Sequence, residues 1–304
     1  MGSTMLQLVQ QVTNELGVPT PSTVAGNANQ DVVQILALMN ATGYELLRRA
    51  DWRELTKQYT FYTDATTTTG TWVNGGYQIT GIPSTTGLST NYQVQGIGIG
   101  NATYITSVDS PTAVTVNQAF TEGQVGGTLT FQKVKYDLPS DYNSTVPRTH
   151  WDKSKRWEMV GPESAQQWEW LLSGYISTGP RVRWRIFGNK FQIWPGMNAG
   201  ELLGFEYRSN SWAESVAGVA KTSFTADDDR AIYPDRLMVL GTKLKYFEAK
   251  GFDTTALYRD YLMELETSIG QDTASPNLSF APRPGTVLIG YDNIPDSNYG
   301  TDSQ

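Results

Sequence analysis

The sequence predicts an α+β protein. We expect an α-helical bundle from both chain ends with an inserted small antiparallel β-sandwich or barrel, an additional β-hairpin sheet and an extended C-terminal arm. Three observations predict it: helical spacing of apolar residues near both ends, alternation in the middle, and prolines in the last segment. The predicted parts are residues 1–57, 58–136, 137–226, 227–271 and 272–304.

The composition limits the chemistry of the chain. Its 304 residues suffice for one large or two ordinary domains, and they include no cysteine and one histidine, His150. Disulfides and thiolate nucleophiles are therefore excluded, and a Ser-His-Asp arrangement needs His150. We see no nucleophile or carboxylate at a defined spacing from His150, and we expect no cofactor and no enzymatic activity.

Charge and hydropathy restrict the partners. The net charge of −7 opposes non-specific binding to nucleic acid. No run of eighteen apolar residues is present, so we expect no membrane span. The N-terminus has no basic stretch followed by an apolar one, which argues against a secretory signal.

Two helices are predicted before residue 57. Residues 4–16 and 29–50 each carry an apolar stripe at helical spacing. Gly43 lies inside the second helix, where glycine is unfavourable by about 1 kcal/mol, and it predicts a close helix crossing.

Two more helices are predicted in residues 227–270. Pro234 suits the first turn of one helix and Gly251 ends it, while Asp253 caps the next helix and Gly270 stops it. The three aspartates of residues 227–229 favour a helix start. Calcium binding is an alternative for them, but no EF-hand pattern is present.

The region from residue 58 to 136 alternates like a β protein. Short strands are predicted at residues 77–80, 92–95, 104–106, 114–116 and 129–131, with glycine-rich turns between them. Residues 78–88 (QITGIPSTTGL), 94–99, 105–109 and 114–116 resemble a β module that recurs in virion proteins of tailed phages.

A hairpin is predicted downstream. Ser164 and Gln167 form a capping box that opens a short helix. Residues 181–187 alternate and turn through Gly188 and Asn189 into residues 190–195, which is typical of a β-hairpin. Residues 202–208 predict another strand.

These downstream motifs resemble a known family. Residues 138–142 (LPSDY), 151–157, 161–168, 191–195 (FQIWP) and 205–209 (FEYRS) are similar to head-to-tail adaptor (connector) proteins of short-tailed bacteriophages. The resemblance implies a helical bundle around a β insertion. It also implies a ring of twelve copies in the virion neck, made in the host cytoplasm, and DNA ejection through its channel. The implied partners are the portal protein, a tail tube or nozzle protein, and passing genomic DNA without sequence-specific binding.

The last segment has its own pattern. Its prolines disfavour a helix, yet apolar residues recur in it. The resemblance implies an arm that reaches the portal, and the candidate anchors are Phe280, Val287, Leu288, Ile289 and Tyr291. A strand packed on its own domain and a disordered end are the alternatives.

Three arginines alternate in the predicted hairpin. Arg181, Arg183 and Arg185 fall on one face of a strand, where like charges repel unless they are paired. We expect acidic partners within the chain or on the next subunit. A phosphate backbone and a solvated face are the alternatives.

The sequence leaves a second class of function open. Nine tryptophans favour core or interface use, but they also fit a tail-associated protein that binds a host surface or carbohydrate. A lytic enzyme built on His150 or on acids such as Glu163 and Glu169 is a third class.

Overall fold

The computed structural model describes residues 2–173 and 181–272, and the predicted α+β class is confirmed there. The helices are α1 Met5–Leu16, α2 Gln30–Arg49, α3 Ala165–Leu172, α4 Asp235–Lys250 and α5 Thr255–Asp272. A short 3₁₀ turn, Arg53–Leu55, follows α2.

The strands are short. In the first half they are β1 Thr56–Tyr62, β2 Ala65–Trp72, β3 Gln78–Ile79, β4 Tyr92–Gly96, β5 Ile105–Ser110, β6 Ala113–Val116, β7 Gln124–Lys133 and β8 Lys135–Asp137. In the second half they are β9 Tyr142–Thr145, β10 Trp151–Asp152, β11 Trp157–Glu158, β12 Arg183–Phe187, β13 Lys190–Trp194, β14 Leu202–Ser209, β15 Ala213–Glu214, β16 Ala220–Lys221 and β17 Arg230–Ala231.

These strands pair into small antiparallel sheets. The largest has the order β1-β14-β10-β11, with β9 also paired to β14. The others are β12-β13-β8, β16-β15-β17, β2-β7-β4 and β3-β6-β5. None of these described sheets closes on itself.

Helices from both chain ends share one hydrophobic core. α4 packs against α1, α2 and α5, and the core includes Leu8, Ile35 and Leu237. Two lysines of α4 add ion pairs to the N-terminal helices, Lys243 to Glu15 of α1 at 2.6 Å and Lys245 to Glu45 of α2 at 2.5 Å. The apolar stripes read from the sequence are therefore buried against one another.

The helix ends have defined caps, and the end predicted at Gly251 is among them. Thr4 forms a capping box with Gln7, Asn29 caps α2, and Gly251 ends α4 in the left-handed conformation. The predicted stop at Gly270 is wrong, because α5 continues to Asp272.

The aspartates of residues 227–229 do not start a helix, since α4 begins at Asp235. The carboxylate of Asp227 instead accepts hydrogen bonds from the backbone N–H groups of Val24 and Ala25. Buried Asp229 accepts from loop N–H groups and pairs with Lys221 at 2.6 Å. These acids fasten loops, because side-chain carboxylates also satisfy N–H groups outside helices.

The close approach at Gly43 is made by a side chain. A methyl group on Gly43 would lie 2.4 Å from the buried indole of Trp212. The close contact between helices lies one residue earlier, where a methyl group on Gly241 of α4 would meet Thr42 at 2.5 Å.

The region from Ala65 to Lys133 has a core of its own. The sheets β2-β7-β4 and β3-β6-β5 bury one hydrophobic cluster, which includes Trp72, Val94 and Phe131. β1 lies in the predicted range 58–136 but pairs with β14 in the largest sheet. Likewise β8 pairs with β13 of the hairpin.

We expect Gly43→Ala to destabilise the protein, although alanine favours a helix by about 1 kcal/mol over glycine. Overpacking against Trp212 typically costs about 1–3 kcal/mol, which exceeds that gain. Urea denaturation followed by tryptophan fluorescence measures the difference.

Gly270→Ala in α5 is the matched control, because nothing lies within 4 Å of its added methyl group. It should leave stability unchanged or raise it. Equal stabilisation by both substitutions would show that Trp212 does not restrict Gly43.

Candidate interaction surface

His150 lies in a stack of aromatic rings. Its ring is 3.6 Å from the Trp184 ring centre and 5.1 Å from that of Phe205, with 13° between the planes in each case. The side chain is 1% exposed, and neither ring nitrogen has a hydrogen-bond partner among the described residues. Burial lowers the pKa of His150 to about 4. The imidazole is therefore a neutral core residue, and no described group forms a catalytic triad with it.

Over residues 2–173 and 181–272, no group of three or more His, Asp or Glu is arranged to hold a metal ion. In that part of the chain no helix is both long enough and apolar enough to span a membrane.

Arg183 has an acidic partner within the chain. Its guanidinium lies 2.5 Å from the carboxylate of Glu163, whose side chain is 4% exposed. Glu163 immediately precedes Ser164, the N-cap of α3. The ion pair thus joins β12 to the beginning of α3, and a buried carboxylate needs such a partner.

Arg185 takes a different environment, although it is on the same face of β12. Its guanidinium carbon lies 4.4 Å from the ring centre of Trp168 and 4.8 Å from that of Phe187. Its Nε donates a hydrogen bond to Gln192 at 3.1 Å. Burial lowers the pKa of Arg185, yet an arginine stays charged, so the contact is a cation–π interaction.

Two residues that flank Arg185, Arg181 and Phe187, are exposed. Arg181 precedes β12 and makes no ion pair with a described residue, and Phe187 is 62% exposed at the hairpin turn. We call Arg181, Arg185 and Phe187 the hairpin face. Arginine and aromatic residues are enriched in the energetic centres of protein interfaces, so this face suits a protein partner.

The three arginines of the predicted cluster therefore have different environments. The strand brings Arg183 and Arg185 to one face as predicted, but only Arg183 is paired with an acid in the described chain. The predicted arm anchors Phe280, Val287, Leu288, Ile289 and Tyr291 all lie outside the described residues.

A polar junction was missed from the sequence. The Asp141 carboxylate accepts hydrogen bonds from Lys57 of β1 and from Tyr207 and Ser209 of β14, each at 2.7 Å. Burial alone would raise the pKa of Asp141, but these hydrogen bonds outweigh it and lower the pKa. The acids of the turn at residues 137–141 were the available signal, but only the fold reveals which side chains reach them.

We predict that His150 makes stability fall in acid. Its pKa is about 6.5 in the unfolded chain and about 4 in the fold, so between these values only the unfolded chain gains a proton. The contribution of His150 to the free energy of unfolding is fully present above pH 6.5. It declines below that pH and is lost near pH 4. Relative to His150→Phe, the native chain should lose about 2 kcal/mol from pH 7 to pH 5 in urea titrations. A difference between the two chains that is constant with pH would contradict this.

We also predict that Arg183→Met destabilises the protein by roughly 2 kcal/mol, because it leaves the buried Glu163 carboxylate without its partner. The double variant with Glu163→Gln should recover most of the loss. Lys190→Met on β13 is the control, since its partner Asp137 is 72% exposed and such pairs contribute about 0–1 kcal/mol. Equal losses for Arg183→Met and Lys190→Met in thermal unfolding would refute the prediction.

No model of a known protein family matches this chain, and no curated protein matches it either. Its function must therefore be inferred from its own residues and their arrangement.

Proposed function

We propose that this chain is a virion structural protein, the head-to-tail adaptor of a tailed phage. Twelve copies would form a ring in the virion neck, between the portal and the tail, and line the channel for the DNA. One observation carries the proposal: helices from both chain ends share a core, and the β-rich segments lie between them in sequence. This is the arrangement that the resemblance to adaptor proteins implies.

The helical body supplies a rigid unit for such a ring. α4 contacts α1, α2 and α5, and its lysines are paired with acids of the N-terminal helices. A backbone hydrogen bond also joins the start of α1 to the segment before α4, since the N–H of Met5 donates to the carbonyl of Asp229 at 2.7 Å. We take these helices as the bundle that repeats around the ring.

The β segments then serve as contact surfaces. Residues 65–133 have their own hydrophobic cluster, which supports the proposed inserted sandwich-like domain. The hairpin face offers exposed Arg181 and Phe187 beside the anchored Arg185. Such a surface fits a neighbouring subunit or a tail component.

The charge of the protein suits a channel for DNA. A net charge of −7 disfavours binding to phosphates, so DNA passes without adhering. The buried, neutral His150 supports a structural role, since a hidden imidazole reaches no substrate.

The tryptophans argue against the carbohydrate-binding alternative. Sugar stacking needs exposed rings, whereas six of the nine indoles are buried: Trp52, Trp72, Trp168, Trp184, Trp194 and Trp212. They pack in the core clusters of the helices and sheets.

We predict that the purified chain binds the purified portal ring of the same phage and forms a second ring on it. Negative-stain microscopy with and without portal measures this directly. Deletion of residues 276–304 should weaken docking at least tenfold, and so should polar substitution of Phe280, Val287, Leu288, Ile289 and Tyr291.

The controls separate the parts of this proposal. Normal docking of the truncated chain would refute the arm. Failure of the full chain to bind the portal, together with binding to a glycan array, would refute the adaptor and favour the carbohydrate-binding class. Release of peptidoglycan that is lost in His150→Ala would indicate a lytic enzyme.

A further inference from the structure

A large open groove lies where the C-terminal helix ends. Its volume is about 1030 Å³, and it lies between the 3₁₀ turn after α2, the start of α4 and the end of α5. The lining residues that matter here are Arg53, Glu54, Glu214, Tyr233, Asp235 and Asp272. We call this cavity the acidic groove.

The acidic groove has more carboxylates than cations among its lining residues. It has four carboxylates and one guanidinium, and none of the four acids forms an ion pair with a described residue. Among the described residues, Asp235 and Asp272 accept hydrogen bonds from neutral backbone N–H groups, those of Ser3 and Arg53. Glu54 and Glu214 are exposed. A cationic ligand would find several free acceptors here.

A buried hydroxyl lines the same groove. Tyr233 is 3% exposed, and its hydroxyl has no hydrogen-bond partner among the described residues. Buried polar groups are nearly always paired in folded proteins. The Tyr233 hydroxyl therefore leaves a hydrogen-bonding position unused in the described wall of the groove.

The same chain presents a positive counterpart. The turn between β10 and β11 contains Lys153, Lys155 and Arg156, and we call it the basic turn. Lys155 is paired with Glu201, but Lys153 and Arg156 have no ion pair in the described chain. Arg156 is exposed and has a φ of 59°, so the backbone projects it in a left-handed turn.

The two charged features lie at opposite ends of one sheet. The 3₁₀ turn of the acidic groove leads directly into the first residue of β1, Thr56. The last residue of β1, Tyr62, pairs with Leu202, which hydrogen-bonds to Lys153 and Ser154 of the basic turn. At about 3.3 Å per residue, the strand places them roughly 20 Å apart, too far to pair within one copy.

We infer that the acidic groove of one copy receives the basic turn of the next copy. Arg156 would donate to Glu54 and Glu214, and the Tyr233 hydroxyl would accept from the incoming cation. Contact between two different patches is head-to-tail, and such contacts generate rings when the rotation closes. The inference deepens the proposed adaptor function and rests on its ring.

The absence of cysteine permits a clean test. Glu54→Cys and Arg156→Cys are made in separate chains and mixed under mild oxidation at low salt. We expect the mixture to form disulfide-linked dimers at least tenfold faster than either variant alone. A chain with both substitutions should give a ladder of linked copies. High salt should slow both reactions, because the contact is electrostatic.

Matched controls use exposed charges away from both features, Glu122→Cys mixed with Arg259→Cys. The inference is overturned if the test mixture links no faster than this control, or if either single variant links to itself as fast. In a second readout, Glu214→Lys is added to the Glu54→Cys chain, and disulfide formation with the Arg156→Cys chain should slow. Adding Lys153→Glu to the Arg156→Cys chain should restore the rate.

The test also separates this inference from the adaptor function. Portal binding without the expected crosslinks would refute the head-to-tail contact alone. Crosslinks without portal binding would refute the adaptor and leave the contact standing. Crosslinks that form only after portal is added would place ring assembly on the portal and support the contact. No crosslinks with or without portal would overturn the inference.

Discussion

The packing of α4 against the N-terminal helices is the contact on which the rest of the structure depends. α4 lies at the centre of the helical core, between α1, α2 and α5, and it is largely apolar on several sides. Because Gly241 has no side chain, Thr42 of α2 approaches its backbone closely. That contact fixes where residue 50 leaves the helices and therefore where the largest sheet begins. The acidic groove and the Asp141 junction both follow from this placement.

The largest sheet connects the helical core to the charged features of the surface. β1 continues from α2 through the 3₁₀ turn and pairs along its whole length with β14. β14 in turn supports β9 and β10, and with them the basic turn and the His150 stack. The charged features of the surface are thus positioned by backbone hydrogen bonds rather than by long flexible loops. Such support holds these surface groups in fixed positions relative to the helices.

The sequence was a good guide to local structure and a poor guide to partners. The cap at Ser164, the helix end at Gly251 and the Gly188-Asn189 turn were predicted correctly, because each acts through its immediate neighbours. The role of Asp227 was misjudged, since its N–H donors come from residues about two hundred positions earlier. The pairing of β1 with β14 and the environment of Arg185 were missed for the same reason. Periodicity shows which face is apolar, but it does not show what that face meets.

The separation of the paired elements in sequence also determines the order of folding. Glu15 and its partner Lys243 are 228 residues apart, whereas the strands from Ala65 to Lys133 pair within their own segment. At roughly 5–20 residues per second, the ribosome needs on the order of 10–50 s to supply α4 after α1 has emerged. During that interval the strands from Ala65 to Lys133 can pair, while the apolar stripes of α1 and α2 remain uncovered. Nascent chains of this protein therefore expose the apolar faces of α1 and α2 to chaperones until α4 is made.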